Sequence, residues 1–383
     1  VQTGDGISAV EFVIPSSSRM SGTLDVANSA TLTNQNAGNP VLGTLAAGST
    51  VNYARSGNQT VVNANYFNLV LGGTGQKSLA NTIGTNITNS LVINSGVRFR
   101  LHTVNTLTAT LTGSVSGDGT ILGNGNSVLM VKGTGEAGTL TFTTTLSLYQ
   151  LILDRPGGRL ALGSNLTVGN HLLHQNGVLD LNDKLLTVNG AITFPSSSTN
   201  GALKGSPSSS LTIGNSTLVL TNPLFMDQTD VSSHTLSRFA ISRGGQLLTL
   251  GNDLNVSGSF VHTNAIIDLN DKSFSVAGVI SFPATTTNGY YIGSPHSSLS
   301  ILGAGTIGNT LRFDQTSNNT RSLHTFEVDH TGGVLTLGSS IICTSSFVHH
   351  NGQITLGANE LSLEGTIAFP VAAANGFFSG SAT

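Results

Sequence analysis

Tryptophan is absent from this sequence and cysteine occurs once, at Cys343. A single thiol excludes an intramolecular disulfide framework and any multi-cysteine zinc site. The bland reading of Cys343 is a small buried hydrophobe. Charge is scarce as well: charged residues make up 9% of the chain, and 15 Lys and Arg stand against 18 Asp and Glu. With no basic cluster visible, the phosphate contacts on which nucleic-acid binding depends have no support. No apolar run approaches the ~18–20 residues a membrane-spanning helix needs. The start, Val1-Gln2-Thr3-Gly4, has neither an initiator Met nor a signal-peptide core, and Gly380-Ser381-Ala382-Thr383 stops where another copy of the internal unit would continue. Both ends read as cut.

What is present is glycine, 47 residues of it, with many Ser, Thr and Asn and 38% hydrophobic residues gathered in short runs. Disordered chains combine low hydrophobicity with high charge, and this composition does not. Self-similarity is the dominant signal. Phe194-Pro195, Phe282-Pro283 and Phe369-Pro370 are spaced by 88 and 87 residues, and so are Asn200-Gly201, Asn288-Gly289 and Asn375-Gly376. Leu160-Ala161-Leu162-Gly163 returns as Leu248-Thr249-Leu250-Gly251 and as Leu335-Thr336-Leu337-Gly338. An earlier, divergent copy places Tyr66-Phe67-Asn68-Leu69-Val70-Leu71 against Leu148-Tyr149-Gln150-Leu151-Ile152-Leu153.

Within each copy, apolar stretches recur roughly every seven residues and alternate with polar ones, as in Leu254-Asn255-Val256 and Phe274-Ser275-Val276. Period-two alternation separated by Asn-Gly, Gly-Ser and Asn-Asp pairs predicts short strands and tight turns, with no helical period. The expected fold is all-β: a parallel β-solenoid (β-helix) of tandem ~88-residue repeats, each holding about four coils of three strands. The alternative is a string of β-sandwich domains, which the lack of a large central aromatic disfavours. The organisation is read as 1–60, the tail of an earlier divergent repeat; 61–130, a divergent repeat; then repeats at 131–210, 211–298 and 299–383, the last truncated, with one continuous elongated solenoid expected.

Candidate sites are few. His174, His262 and His349 share one repeat position. Ligands to one ion must lie within about 2 Å of it, whereas equivalent positions four coils apart would be roughly 19 Å apart at ~4.8 Å per coil. They are therefore read as outward or corner histidines. Asp180, Asn182 and Asp183, with Asp268, Asn270 and Asp271, could suggest calcium. The third copy has Gly357, Ala358 and Asn359 there, and an Asn-Asp turn explains the pattern without a metal. Asp227, Asp314, Glu327 and Asp329 are the best local concentration of carboxylates for a glycosidase-like site, and no catalytic motif accompanies them. Thr106 to Thr112, Thr141 to Thr145 and Thr285 to Thr287 raise ice binding, but the patches do not share a repeat position. Sequons at Asn58, Asn86, Asn165, Asn215, Asn255 and Asn318 are expected by chance in such a composition. No catalytic, cofactor or metal residue is assigned, and the chain is read as a non-enzyme.

The wording of the repeat resembles that of very large secreted β-repeat, adhesin-like proteins of Bacteroidota. The phrases that carry the likeness run from Tyr66 to Lys77, from Leu250 to Val256 and from Leu311 to Thr316. The resemblance implies a secreted or cell-surface protein exported by the type IX secretion system. The expected function is an extracellular structural or adhesive segment, a rigid rod or part of a surface filament, with surface glycans or like chains as partners. Ice or glycan binding and a polysaccharide-active β-helix enzyme are the alternatives.

Overall fold

The computed structural model describes residues 2–3, 10–18, 20–143, 147–214, 217–287, 289–372 and 375–380. Asn215, Asn288, Thr144, Thr145 and the terminal residues Val1, Gly4 and 381–383 lie outside them. Strand makes up 62% of the described residues. Among the described residues the helical turns are two short 3₁₀ segments, Ser232–His234 and Asn319–Arg321. No helix among them is long and apolar enough to cross a membrane. The chain forms two compact units, Val1–Asp180 and Leu181–Thr383. Each is a parallel β-solenoid, as the alternation and turn pattern predict.

Stacking explains why strands this weak in bulk hold together. In the first unit one inward column runs Tyr66, Ile87, Leu111, Val131, Leu153, His174, each paired in parallel with the next. All six are 2% exposed or less. In the second unit Leu236, Val256, Val276, Ile301 and Val328 form the same kind of column and end on His349. Each side chain covers the one before it, so a core forms without residues large enough to span a globular interior.

Each turn of the coil has three sides. Strand Leu254–Asp268 pairs forward with three separate strands, Ser273–Ala277, Val279–Ser281 and Gly289–Ile292. Strands of 15 to 17 residues thus bend round corners instead of ending there, longer than the three-to-five-residue stretches expected. The corners show as register shifts, and the same shifts recur at Asp154/Arg159, Ser242/Leu247 and Asp329/Val334. There the preceding strand bulges out through Gly157, Gly245 and Gly332, at φ 65°, 68° and 72°. That left-handed backbone is open to glycine at little cost.

The repeat is not a whole number of turns. Four steps along one column lead from Leu236 to Val328. Yet the repeat equivalent of Val328, 87 residues earlier, is Ile241. Leu236 pairs with Val256 on one side of the next coil, and Ile241 pairs with His262 on the adjacent side. One repeat is therefore a third of a turn short of four turns. The divergent copy behaves alike: Leu69 stands in the column Leu69, Leu91, Val115, Gly138, Leu160. Its sequence equivalent Leu151 stands on another side, between Leu129 and Leu172. Equivalent positions in successive repeats face different directions.

Candidate functional site

Polarity places the aligned histidines outside; the structure puts all three inside. His174, His262 and His349 are fully buried. Each lies two residues from an inward apolar residue on the same strand, as His262 does from Phe260, and alternation carries both to the same face. Nε2 of each ring meets the carbonyl three residues on: Gly177 at 2.7 Å, Ala265 at 2.9 Å and Gly352 at 2.8 Å. A carbonyl only accepts, so Nε2 carries a proton. His262 Nδ1 also meets the Tyr291 hydroxyl at 3.1 Å. Burial pushes the His174 and His262 imidazoles down to about 4. His349 is lowered by burial and then by His350 beside it. His262 and His349 also lie on different sides of the coil, stacked on Ile241 and on Val328. Among the described residues no three His, Cys, Asp or Glu side chains gather as a metal site.

The acidic groups occupy turns. Asn182 and Asp183 have φ 47° and 63°, and Asn270 and Asp271 have φ 48° and 61°. Such paired left-handed residues make the tight reversal that Asn and Asp tolerate best. In the third copy Gly357 takes the Asn position at φ 61°. Asp183 and Asp271 each accept a hydrogen bond from a serine one coil on, Ser206 and Ser294. Asp180 is buried and pairs with Arg159, whose Nε lies 2.9 Å from Oδ2. Burial raises the Asp268 carboxyl, and its Oδ1 accepts the Asn270 amide at 2.9 Å.

The four carboxylates proposed as a concentration are not brought together as one site. Asp227 and Asp314 share a repeat position, 87 residues apart, and each accepts a local bond, from the Thr229 amide and from Thr316. Glu327 accepts from Ser300 at 2.8 Å and Asp329 from Asn351 at 2.6 Å. The threonine patches are likewise interrupted: Thr110 has Asn86 and Met130 as its neighbours along the stack. Cys343 is buried, with its thiol 3.1 Å from the Ser346 carbonyl, and burial pushes that thiol up.

Three buried groups escaped the sequence reading. Arg155, Arg243 and His330 occupy one repeat position, spaced by 88 and 87 residues, each just before a glycine-rich bulge. The Arg155 guanidinium donates to five backbone carbonyls: Thr112, Lys132, Thr134, Gly135 and Glu136, at 2.6 to 3.2 Å. Arg243, fully buried, donates to Val188, Gly190 and Leu218, and burial lowers it to about 10. His330 reaches Gly278, the repeat equivalent of Gly190, at 2.9 Å. The signal available was the spacing itself. These side chains bond carbonyls at the corners of the coil, two of which, Gly135 and Val188, also accept a backbone amide, and this is a structural role.

Comparison of the chain with protein-family models, with curated proteins and with solved structures returns no match.

Proposed function

We propose that this chain is a segment of an extracellular structural or adhesive repeat protein, a rigid spacer of the adhesin-like kind its repeat resembles, carried to the cell surface by type IX export. The observation that supports this reading is the stacked parallel ladder, in which each coil is held by its neighbours alone. A ladder of that kind lengthens by duplication without a new core. The third-of-a-turn offset adds to it, because a surface group repeated at one sequence position is then displayed successively on all three sides. Polar, uncharged strand faces suit hydrogen bonding to glycans or to like chains.

The test is retention of beads coated with the chain on surfaces bearing bacterial glycans or further copies of the chain, under flow. Coated beads are expected to be held well above beads carrying the heat-denatured chain. Equal retention of the two would overturn the adhesive reading. Release of reducing ends from a polysaccharide by the chain would replace it with an enzymatic one.

A further inference from the structure

Between Asp25 and Asp118 the chain has no carboxylate side chain, and it has four cations there: Arg55, Lys77, Arg98 and Arg100. The fold concentrates three of them on one side of the first unit. Strands Gln59–Val61, Gly75–Leu79, Val97–Arg100 and Thr120–Leu122 form a single parallel sheet. Register places Gln76, Arg98 and Thr120 in one outward column and Ser78, Arg100 and Leu122 in the next. Val97 and Phe99 are buried, so alternation turns both arginines to the same exposed surface, roughly 6.5 Å apart along the strand.

Among the described residues neither arginine side chain is in a hydrogen bond or an ion pair, and the ion pairs there are those of Arg159 with Glu136 and Asp180. Asp118, the nearest carboxylate along the chain, stands on the turn before Thr120 and pairs with neither. Beneath the same sheet lies the Lys77 ammonium, fully buried and held by the carbonyls of Arg55 at 2.6 Å and Gly57 at 3.1 Å, with no anion. Its charge adds to the field of this surface. On the coils just before the arginines is a trough of about 300 Å³, lined by Ala37, Asn58, Gln59, Thr60, Gln76 and Ser78. Amides and hydroxyls therefore adjoin two free guanidinium groups.

We infer that this sheet is a binding face for a polyuronate, an acidic polysaccharide whose carboxylates are held by Arg98 and Arg100 while its hydroxyls bond Asn58, Gln76 and Ser78. The inference rests on the adhesive reading and names its ligand class. A guanidinium fork matches a carboxylate in two parallel hydrogen bonds. Nucleic acid fits less well: this face has no outward aromatic on which bases could stack, and a few cations release too few counterions to hold a duplex.

The experiment is calorimetric titration of the full chain with polygalacturonate, with dextran as the neutral control, at low and high salt. Binding that weakens with salt is expected. The double variant Arg98→Gln/Arg100→Gln should lose at least about ten-fold in affinity, the worth of one charge-assisted hydrogen bond. Ser78→Glu, which sets a carboxylate beside Arg100 without altering either arginine, should also weaken it, and Lys132→Gln, on a strand outside this sheet, should not. No binding of polygalacturonate, or no loss in the double variant, overturns the inference. Tighter binding of dextran sulfate or of duplex DNA overturns the choice of a uronate. A double variant whose coated beads are still retained leaves the general adhesive reading standing without this face, so the two failures are separable.

Discussion

The two units fill the same three-sided coil with different chemistry. In the early coils of the first unit the interior carries polar groups: Asn34, Gln59, Lys77 and the pair Tyr53–Tyr66 are all buried. Val62 N–H donates to the Tyr53 hydroxyl at 3.0 Å, the two hydroxyls lie 2.9 Å apart, and Tyr66 returns to the Val62 carbonyl. The second unit carries aromatics instead. Phe260 touches Phe239, Phe274 and His262, and Tyr291 touches His262, Phe282 and Phe313. A coil corner leaves carbonyls pointing inward, and either a buried donor or a close-packed ring beside a single donor can complete it. The backbone fixes the need, and the side chains differ in how they meet it.

The largest test of that equivalence is acid. His174 in the first unit and His262 in the second are both held near pKa 4, against an ordinary value of 6.5. A folded-state pKa below the unfolded one means the unfolded chain takes up protons first. Stability is therefore intact above about pH 6.5, falls as pH drops toward 4, and levels off below. The loss is about 3 kcal/mol per histidine at most. Denaturant midpoints measured across that range should decline less steeply in His174→Gln and in His262→Gln than in the parent chain. If only one variant flattens the curve, the two interiors are not equivalent toward a buried imidazole.

The carbonyl clamp is a second test, of similar size per residue. Arg155→Ala strips donors from five carbonyls in the first unit and should cost about 3–5 kcal/mol. Arg243→Ala strips them from three in the second and should cost less, about 2–4 kcal/mol. Thermal melts of the two variants rank them. The reverse order would show that the aromatic unit depends on its cation more than the polar one does.

The repeat and the parallel solenoid were legible because the Phe-Pro and Leu-x-Leu-Gly marks keep one period and Thr-rich alternation has no helical reading. The rotation was not. Coil length varies within a repeat, from 20 residues between Leu254 and Phe274 to 28 between Leu211 and Phe239, and residue spacing alone does not count turns. The histidines go against their polarity: Phe260-Val261-His262 sets His262 on the side of Phe260, and alternation prevails over residue polarity. Lys77 follows the same alternation, two residues before the buried Leu79. Arg98 and Arg100 stand in the sequence without cross-strand neighbours; the register of three strands sets them beside Gln76, Ser78, Thr120 and Leu122, with no carboxylate partner among the described residues.

The smallest expected difference separates the two tyrosines most directly. Tyr53→Phe keeps the ring and removes a hydroxyl that both accepts from the half-buried Val62 N–H and bonds the buried Tyr66 hydroxyl, so one substitution breaks two hydrogen bonds. Losing both costs about 1–3 kcal/mol. Tyr291→Phe also keeps its ring among Phe282, Phe313 and His262, and the group it abandons is His262 Nδ1. With Nε2 protonated that nitrogen is an acceptor, and the corresponding nitrogens of His174 and His349 already do without a partner. Tyr291→Phe should therefore cost under about 1 kcal/mol. Denaturant midpoints of the two variants measure the gap. A Tyr291→Phe loss equal to that of Tyr53→Phe would mean that the second unit leans on the His262–Tyr291 hydrogen bond as heavily as the first leans on its tyrosine network, and that aromatic packing is not the substitute it is taken to be.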